Sequence, residues 1–243
     1  MHFKLKLAYD GTAYHGWQKQ PHLRTVQGVL EEVLIRLTRN PGKLIASGRT
    51  DAGVHALEQV ASLSAETRLS SDDLLRAMNS LLPPDVVIRE VSQVAEDFHA
   101  RFSTKSKVYL YRIWGHRLPS PFYRRYSWHI PFPLDLAAMR EGAGYLLGAH
   151  DFSAFRAAEG KDRNPQRTLL QLELVSEGDL LKFLVEADGF LHHMVRNIVG
   201  TLVEVGRGKI RPHRVKAILE SMDRRQAGPT APPQGLFLYQ VNY

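Results

Sequence analysis

The chain has 243 residues, 44% apolar and 23% charged, an ordinary globular composition with enough apolar side chains for one large or two compact domains. Its 32 Lys and Arg against 25 Asp and Glu leave a formal charge of +7, so the surface favours polyanionic partners. With no cysteine, it excludes disulfide frameworks, thiolate zinc sites, iron–sulfur clusters, cysteine nucleophiles and the zinc base-deaminase signature.

The opening residues alternate charged and apolar side chains without a continuous apolar run, so no signal peptide is expected and the cytoplasm is the default compartment. Phe3, Leu5, Leu7 and Tyr9 form one face of a strand that turns at Asp10-Gly11. Val26, Val29, Leu30, Val33, Leu34 and Leu37 recur at helical spacing, with Thr25 as N-cap and Asn40-Pro41-Gly42 as the stop. Residues 44–47 and 59–63 read as strands flanking an irregular loop. Ser70 to Asp73 supply the cap of a short helix that runs to Pro83-Pro84, and residues 86–91 give another strand.

The second half follows the same outline. Residues 107–114 read as a strand and 134–147 as a helix, then strands 169–175 and 180–187 turn at Glu177-Gly178-Asp179. Helices over 194–205 and 214–222 and a strand over 237–241 complete the chain. The long uncharged stretch 226–243 contains Pro229, Pro232 and Pro233 and reads as loop then strand, so no membrane span is expected. The repeated order βαββαβ predicts an α+β fold of two ferredoxin-like units, residues 1–104 and 105–243. Their mainly antiparallel sheets are expected to join into one long floor, with the helices on the opposite face. No residue-level repeat relates the halves.

The positive charge is concentrated. No acidic residue lies between Asp97 and Asp135, where Arg101, Lys105, Lys107, Arg112, Arg117, Arg124 and Arg125 account for the whole net charge. The same stretch holds ten of the 22 aromatic residues, among them Tyr109, Tyr111, Trp114 and Phe122. Cations interleaved with flat rings suit single-stranded or looped RNA, in which phosphates meet Arg and Lys while unstacked bases lie on rings. A half-buried strand with a solvated basic face gives the same pattern.

Gly48-Arg49-Thr50-Asp51-Ala52-Gly53-Val54-His55 is the most unusual segment. It places a carboxylate two residues after a guanidinium, between glycines that permit tight turns and close approach of a ligand. A free aspartate is ionised at neutral pH, the state a carboxylate nucleophile needs. The alternative is a hairpin turn whose Asp bonds its own backbone.

This loop closely resembles the catalytic loop of the tRNA pseudouridine synthase A family, and further segments agree in order. They are Tyr9-Asp10-Gly11-Thr12 with Gly16-Trp17-Gln18, Phe98-His99-Ala100-Arg101-Phe102-Ser103 leading into Lys107-Val108-Tyr109-Leu110-Tyr111, His150 to Arg156, Phe190 to Asn197, and Gly235-Leu236-Phe237-Leu238. The resemblance implies a homodimeric enzyme that isomerises uridine to pseudouridine in the anticodon stem-loop of tRNA, with neither cofactor nor metal. At matching positions it implies Asp51 as nucleophile, Tyr109 against the target base, Arg196 paired with Asp51, Arg49 on the RNA and Leu236 packed beside the base. Whether Asp51 attacks C1′, eliminates to a glycal or adds at C6, and which base takes the C5 proton, stay open.

Arg124 and Arg125 in the acid-free stretch, and Arg163 and Arg167 in a polar loop over 156–168, are expected to grip RNA. A non-catalytic RNA-binding module would share the basic aromatic strip without needing the Arg49/Asp51 loop, and its RRM aromatic signature is absent. A metal-dependent nuclease would need clustered carboxylates, yet the next acidic residue after Asp51 in sequence is Glu58.

Overall fold

The computed structural model describes residues 1–157 and 164–243. The first run of elements is β1 (His2–Tyr9), α1 (Val26–Thr38), β2 (Lys43–Ala46), β3 (His55–Ser64), α2 (Ser71–Leu81) and β4 (Val86–Gln93). The second is β5 (Ser106–Trp114), β6 (Trp128–His129), α3 (Leu136–Gly144), β7 (Gly148–Asp151), β8 (Gln166–Glu177), β9 (Leu180–Ala187), α4 (Met194–Gly206) and α5 (Arg214–Ser221). A closing strand, β10 (Leu236–Asn242), follows. The chain forms two compact units, Met1–Lys105 with Phe237–Tyr243, and Ser106–Leu236.

In the first unit, β1 lies between β4 and β3, and β2 flanks β3, every neighbour antiparallel. This is the interleaved order that two split βαβ crossovers produce, the ferredoxin-like arrangement. Phe3, Leu5 and Leu7 alternate inward on β1, and the stripes Leu30/Leu34 of α1 and Leu74/Met78 of α2 are buried with them. Each such side chain contributes roughly 1.5–3 kcal/mol on leaving water. The caps fall where the sequence puts them: Thr25 Oγ1 accepts from Gly28 N–H and Ser70 Oγ from Asp73 N–H. α1 ends at Arg39 in the left-handed region rather than on Asn40-Pro41-Gly42 itself. β10 adds to β3 in parallel, pairing Phe237 with His55 and Leu238 with Ala56.

In the second unit β9 lies between β5 and β8, antiparallel to both, and β7 extends the sheet beyond β8. The short strand β6 pairs in parallel with the end of β5. The helix expected over 134–147 is shorter, because Asp135 caps it through Ala138 N–H and the chain leaves it after Gly144. α4 is buried along nearly its whole length, which its continuous apolar run requires. The loop expected over 156–168 gives way to β8 at Gln166.

Charge divides unevenly. The first unit holds 13 basic against 12 acidic side chains (+1), the second 19 against 13 (+6). Among the described residues no helix is long and apolar enough to cross a membrane.

Candidate active site

Asp51 is half-buried on the loop between β2 and β3, with Arg49 exposed and Thr50 buried on the same loop. The segment after β1 clamps this loop through its backbone. Trp17 N–H donates to the Thr50 carbonyl (3.0 Å), Gly53 N–H to the Tyr14 carbonyl (3.2 Å), and Val54 N–H closes the turn on the Asp51 carbonyl (3.1 Å). Two glycines make that approach possible. A Cβ on Gly11 would lie 2.0 Å from the Val54 carbonyl oxygen, and one on Gly16, at φ +83°, 2.6 Å from that of Thr50. The opening motif is thus the scaffold against which the aspartate loop is cast.

His55 sits at the start of β3, a residue earlier expected in the loop. Its Nδ1 lies 3.0 Å from Gly11 N and 3.1 Å from the Asp10 carboxylate. Gly11 N–H donates to Nδ1, and the Asp10 carboxylate lies beside the same ring nitrogen. Asp10 uses the same oxygen to cap the turn Gly11–Ala13 through Thr12 N–H (2.9 Å) and to accept the Thr12 hydroxyl (2.5 Å). The His55 ring stacks on Phe237, centroids 4.7 Å apart.

A buried polar network backs the loop. Gln59 Oε1 accepts from the Ser47 hydroxyl (2.8 Å) and Val60 N–H (3.1 Å), while Nε2 donates to the Gly48 carbonyl (2.9 Å) and reaches the Tyr9 hydroxyl (3.5 Å). Tyr9 in turn bonds Thr50 Oγ1 (2.7 Å). Burial pushes the Tyr9 phenol up to about 12, partly offset by its bonds to Thr50 and Gln59, so the network stays neutral at physiological pH. Sequence reading singled out neither Gln59 nor this role for Tyr9. The available signal was a glutamine on the strand face shared by Ala61 and Leu63. Gln59→Leu is expected to lower stability by about 2–4 kcal/mol, since it strands the Ser47 hydroxyl and the Gly48 carbonyl in the core. A urea midpoint that falls at unchanged slope would show it, and an unmoved midpoint would show the amide to be idle.

The second unit holds another constellation. Tyr109 is buried on β5, edge-on to Phe190 at 5.0 Å. Tyr111, one step along the same strand face, donates its hydroxyl to the Pro232 carbonyl (2.8 Å). Burial holds the Tyr111 phenol well above its ordinary range, and the nearby Arg196 charge pulls it partly back. Arg196, half-buried in the first turn of α4, donates Nε–H to the Ala231 carbonyl (2.7 Å), while Ala231 N–H returns a bond to the Arg196 carbonyl (3.1 Å). α4 opens with His193 in the left-handed region at φ +61°, its ring 4.0 Å from that of His192. A non-glycine residue held there signals a tightly specified turn.

Asn197, fully buried, ties the remaining motif segments together. Its amide donates to the Phe155 carbonyl (2.7 Å), and its oxygen accepts from Thr230 (2.7 Å) and Arg224 (3.1 Å). Gly235 lets the chain pass against the Tyr111 ring, where a Cβ would meet Cζ at 2.6 Å, and Leu236 follows, buried. Tyr109, Arg196 and Leu236 thus belong to one interlocked region of the second unit, while Asp51 and Arg49 share one loop of the first.

Arg124 and Arg125 are exposed on the loop after β5. Arg167, half-buried on β8, is folded back: its Nη1 donates to the Asn164 (2.8 Å) and Gln166 (2.6 Å) carbonyls. Arg163 lies outside the described residues.

The family model described as tRNA pseudouridine synthase matches residues 7–103 and 143–243. A protein of Moorella thermoacetica named tRNA pseudouridine synthase A is 49% identical over 242 residues, covering 99% of this chain and 98% of that one. One from Thermoanaerobacter sp. with the same name is 46% identical over 235 residues, covering 97% and 96%. A protein of Clostridium perfringens named tRNA pseudouridine synthase A 2 is 43% identical over 240 residues, covering 99% and 98%.

Proposed function

The chain belongs to the tRNA pseudouridine synthase family and is therefore an RNA isomerase, and from that premise we propose that it modifies uridines in the anticodon stem-loop of tRNA with Asp51 as nucleophile, needing neither metal nor organic cofactor. The observation that carries the reading is the way the loop is built: a half-buried carboxylate whose backbone is fixed by Tyr14, Trp17 and two glycines with no room for a side chain. Such a site positions one reactive group and pays little reorganisation at the moment of reaction.

The reaction is balanced without a co-reactant. The N1–C1′ bond breaks, the uracil turns, a C5–C1′ bond forms, the C5 proton leaves and N1 gains one. Attack at C1′ and addition at C6 both begin with an ionised Asp51 and a base drawn out of its stack, which costs a few kcal/mol. In this reading the Tyr109 ring and the Leu236 side chain offer apolar surface to the extracted base. Arg196 holds Asp51 ionised and Arg49 takes the displaced backbone, while Arg124, Arg125, Arg163 and Arg167 grip phosphates. The charge of +6 on the second unit supports a polyanionic substrate.

The test is to incubate the protein with unmodified tRNA transcripts in excess EDTA and map pseudouridine by carbodiimide adducts that stop reverse transcription. Stops are expected at uridines of the anticodon stem-loop. Stops confined to other regions would overturn the assigned target, and activity lost to EDTA but restored by a divalent ion would overturn metal independence.

A further inference from the structure

Three large side chains near the basic stretch differ in how they meet solvent. Phe102 is exposed, but its ring already lies 4.3 Å from His99 and beneath Arg101. Phe132 carries Arg207 over its face at 4.6 Å. Phe122 is 81% exposed and, among the described residues, has no ring or cation against it. Leu118, on the same loop, is 62% exposed.

The loop that presents Phe122 is not slack. Trp114 stacks on Tyr123 (4.9 Å, 28°) and donates its indole N–H to the Leu118 carbonyl (2.9 Å). Leu118 N–H bonds His116 Nδ1 (2.9 Å), and His129 Nε2 meets the His116 carbonyl (2.9 Å). The Ser120 hydroxyl accepts from the N–H groups of Phe122 and Tyr123 (3.3 Å each), its carbonyl accepts from Arg124 N–H (3.0 Å), and the Ser127 hydroxyl bonds the Tyr123 carbonyl (2.9 Å). Pro119 and Pro121 fix φ on either side. A ring displayed on a frame this well tied has little ordering entropy left to lose on contact.

What surrounds the ring selects its partner. Arg117, Arg124 and Arg125 are exposed on the same loop, within the stretch between Asp97 and Asp135 that contains no acidic residue. We propose that Phe122 is a nucleotide-stacking residue: its ring takes the face of an unpaired base of the RNA substrate while Arg117, Arg124 and Arg125 hold the flanking phosphates. The inference rests on the reading of the chain as a tRNA-modifying enzyme and adds a contact that reading does not require. A second copy of the chain fits the loop less well. Two exposed apolar side chains fall far short of the roughly 800 Å² per partner of a stable interface, and a two-fold contact through this loop would bring its arginines against their own copies.

The test compares Phe122→Ala, Phe122→Trp and the double variant Arg124→Glu/Arg125→Glu for binding to an unmodified tRNA transcript and to a blunt RNA duplex, between 50 and about 300 mM KCl. Phe122→Ala is expected to weaken tRNA binding about tenfold at every salt concentration, with the salt slope and duplex affinity unchanged, because stacking is not a counterion-release effect. Phe122→Trp restores the affinity, while the double variant flattens the slope. The single-turnover rate at saturating tRNA stays within about twofold for Phe122→Ala, as the ring does not touch the reacting atoms. Unchanged tRNA affinity, an equal loss on the duplex, or a shift of Phe122→Ala to a smaller species in sedimentation velocity would each overturn the assignment, the last in favour of a protein interface. A tenfold effect in a protein that forms no pseudouridine would leave the stacking contact standing and sink the enzymatic reading.

Discussion

Asp51→Asn is expected to stop pseudouridine formation while leaving tRNA affinity within a few-fold of the unsubstituted protein. The amide has nearly the same size and shape as the carboxylate, so the turn closed by Val54 N–H on the residue 51 carbonyl, and the clamps from Tyr14 and Trp17, survive the exchange. What is lost is the negative charge and, on the proposed reading, the oxygen that serves as nucleophile. Removing a group of that kind costs on the order of 10⁴-fold or more in rate. Tritium release from C5-labelled uridine in a tRNA transcript reads the step directly. Release at the unsubstituted rate would remove Asp51 from the chemistry, whereas loss of release together with loss of binding would make it a structural residue. The asymmetry of charge explains why binding should persist, since the second unit carries +6 without any help from the loop.

The second large effect comes from a residue with no functional group. Gly11→Ala places a methyl group 2.0 Å from the Val54 carbonyl oxygen, a backbone atom that cannot swing aside, so the loop must move. A displacement of about 1 Å at a reacting group costs about a hundredfold in rate, and a loss of that size is expected here with tRNA affinity nearly intact. Gly16→Ala adds backbone strain at φ +83° to a 2.6 Å approach to the Thr50 carbonyl and should in addition lower the melting temperature. Gly144→Ala, at the end of α3 with nothing within 4 Å of the new methyl, is the matched control and keeps full activity. Steady-state kinetics on one tRNA decides the matter, for wild-type turnover in Gly11→Ala would mean that the loop's exact position is immaterial.

These glycines also show where sequence reading stops. Both were legible as parts of a motif, yet the reason for them, backbone passing against backbone from a segment some 40 residues away, exists only in three dimensions. α1, α2, β1 and β9 could be read because period and caps are local quantities, and Thr25 and Ser70 cap as their positions imply. β7 escaped notice because Gly148-Ala149-His150-Asp151 has no alternation of burial, and β6 because two residues carry no period. Gln59 was invisible for a related reason. A lone glutamine in a strand looks like a surface residue until Ser47, Gly48 and Tyr9 are found around it. Asp51 was readable as a candidate because the loop's composition is improbable, but its support from Tyr14 and Trp17 is a tertiary fact.

The return of β10 to the first unit carries a consequence for how the protein is made. Phe237, which stacks on His55 at the edge of the aspartate loop, is translated only after the 131 residues of the second unit. A nascent chain that has already extruded β1 to β4 therefore holds an Asp51 loop without one of its supporting neighbours. Domains fold as units while synthesis proceeds N-terminus first, so here the unit that starts first finishes last.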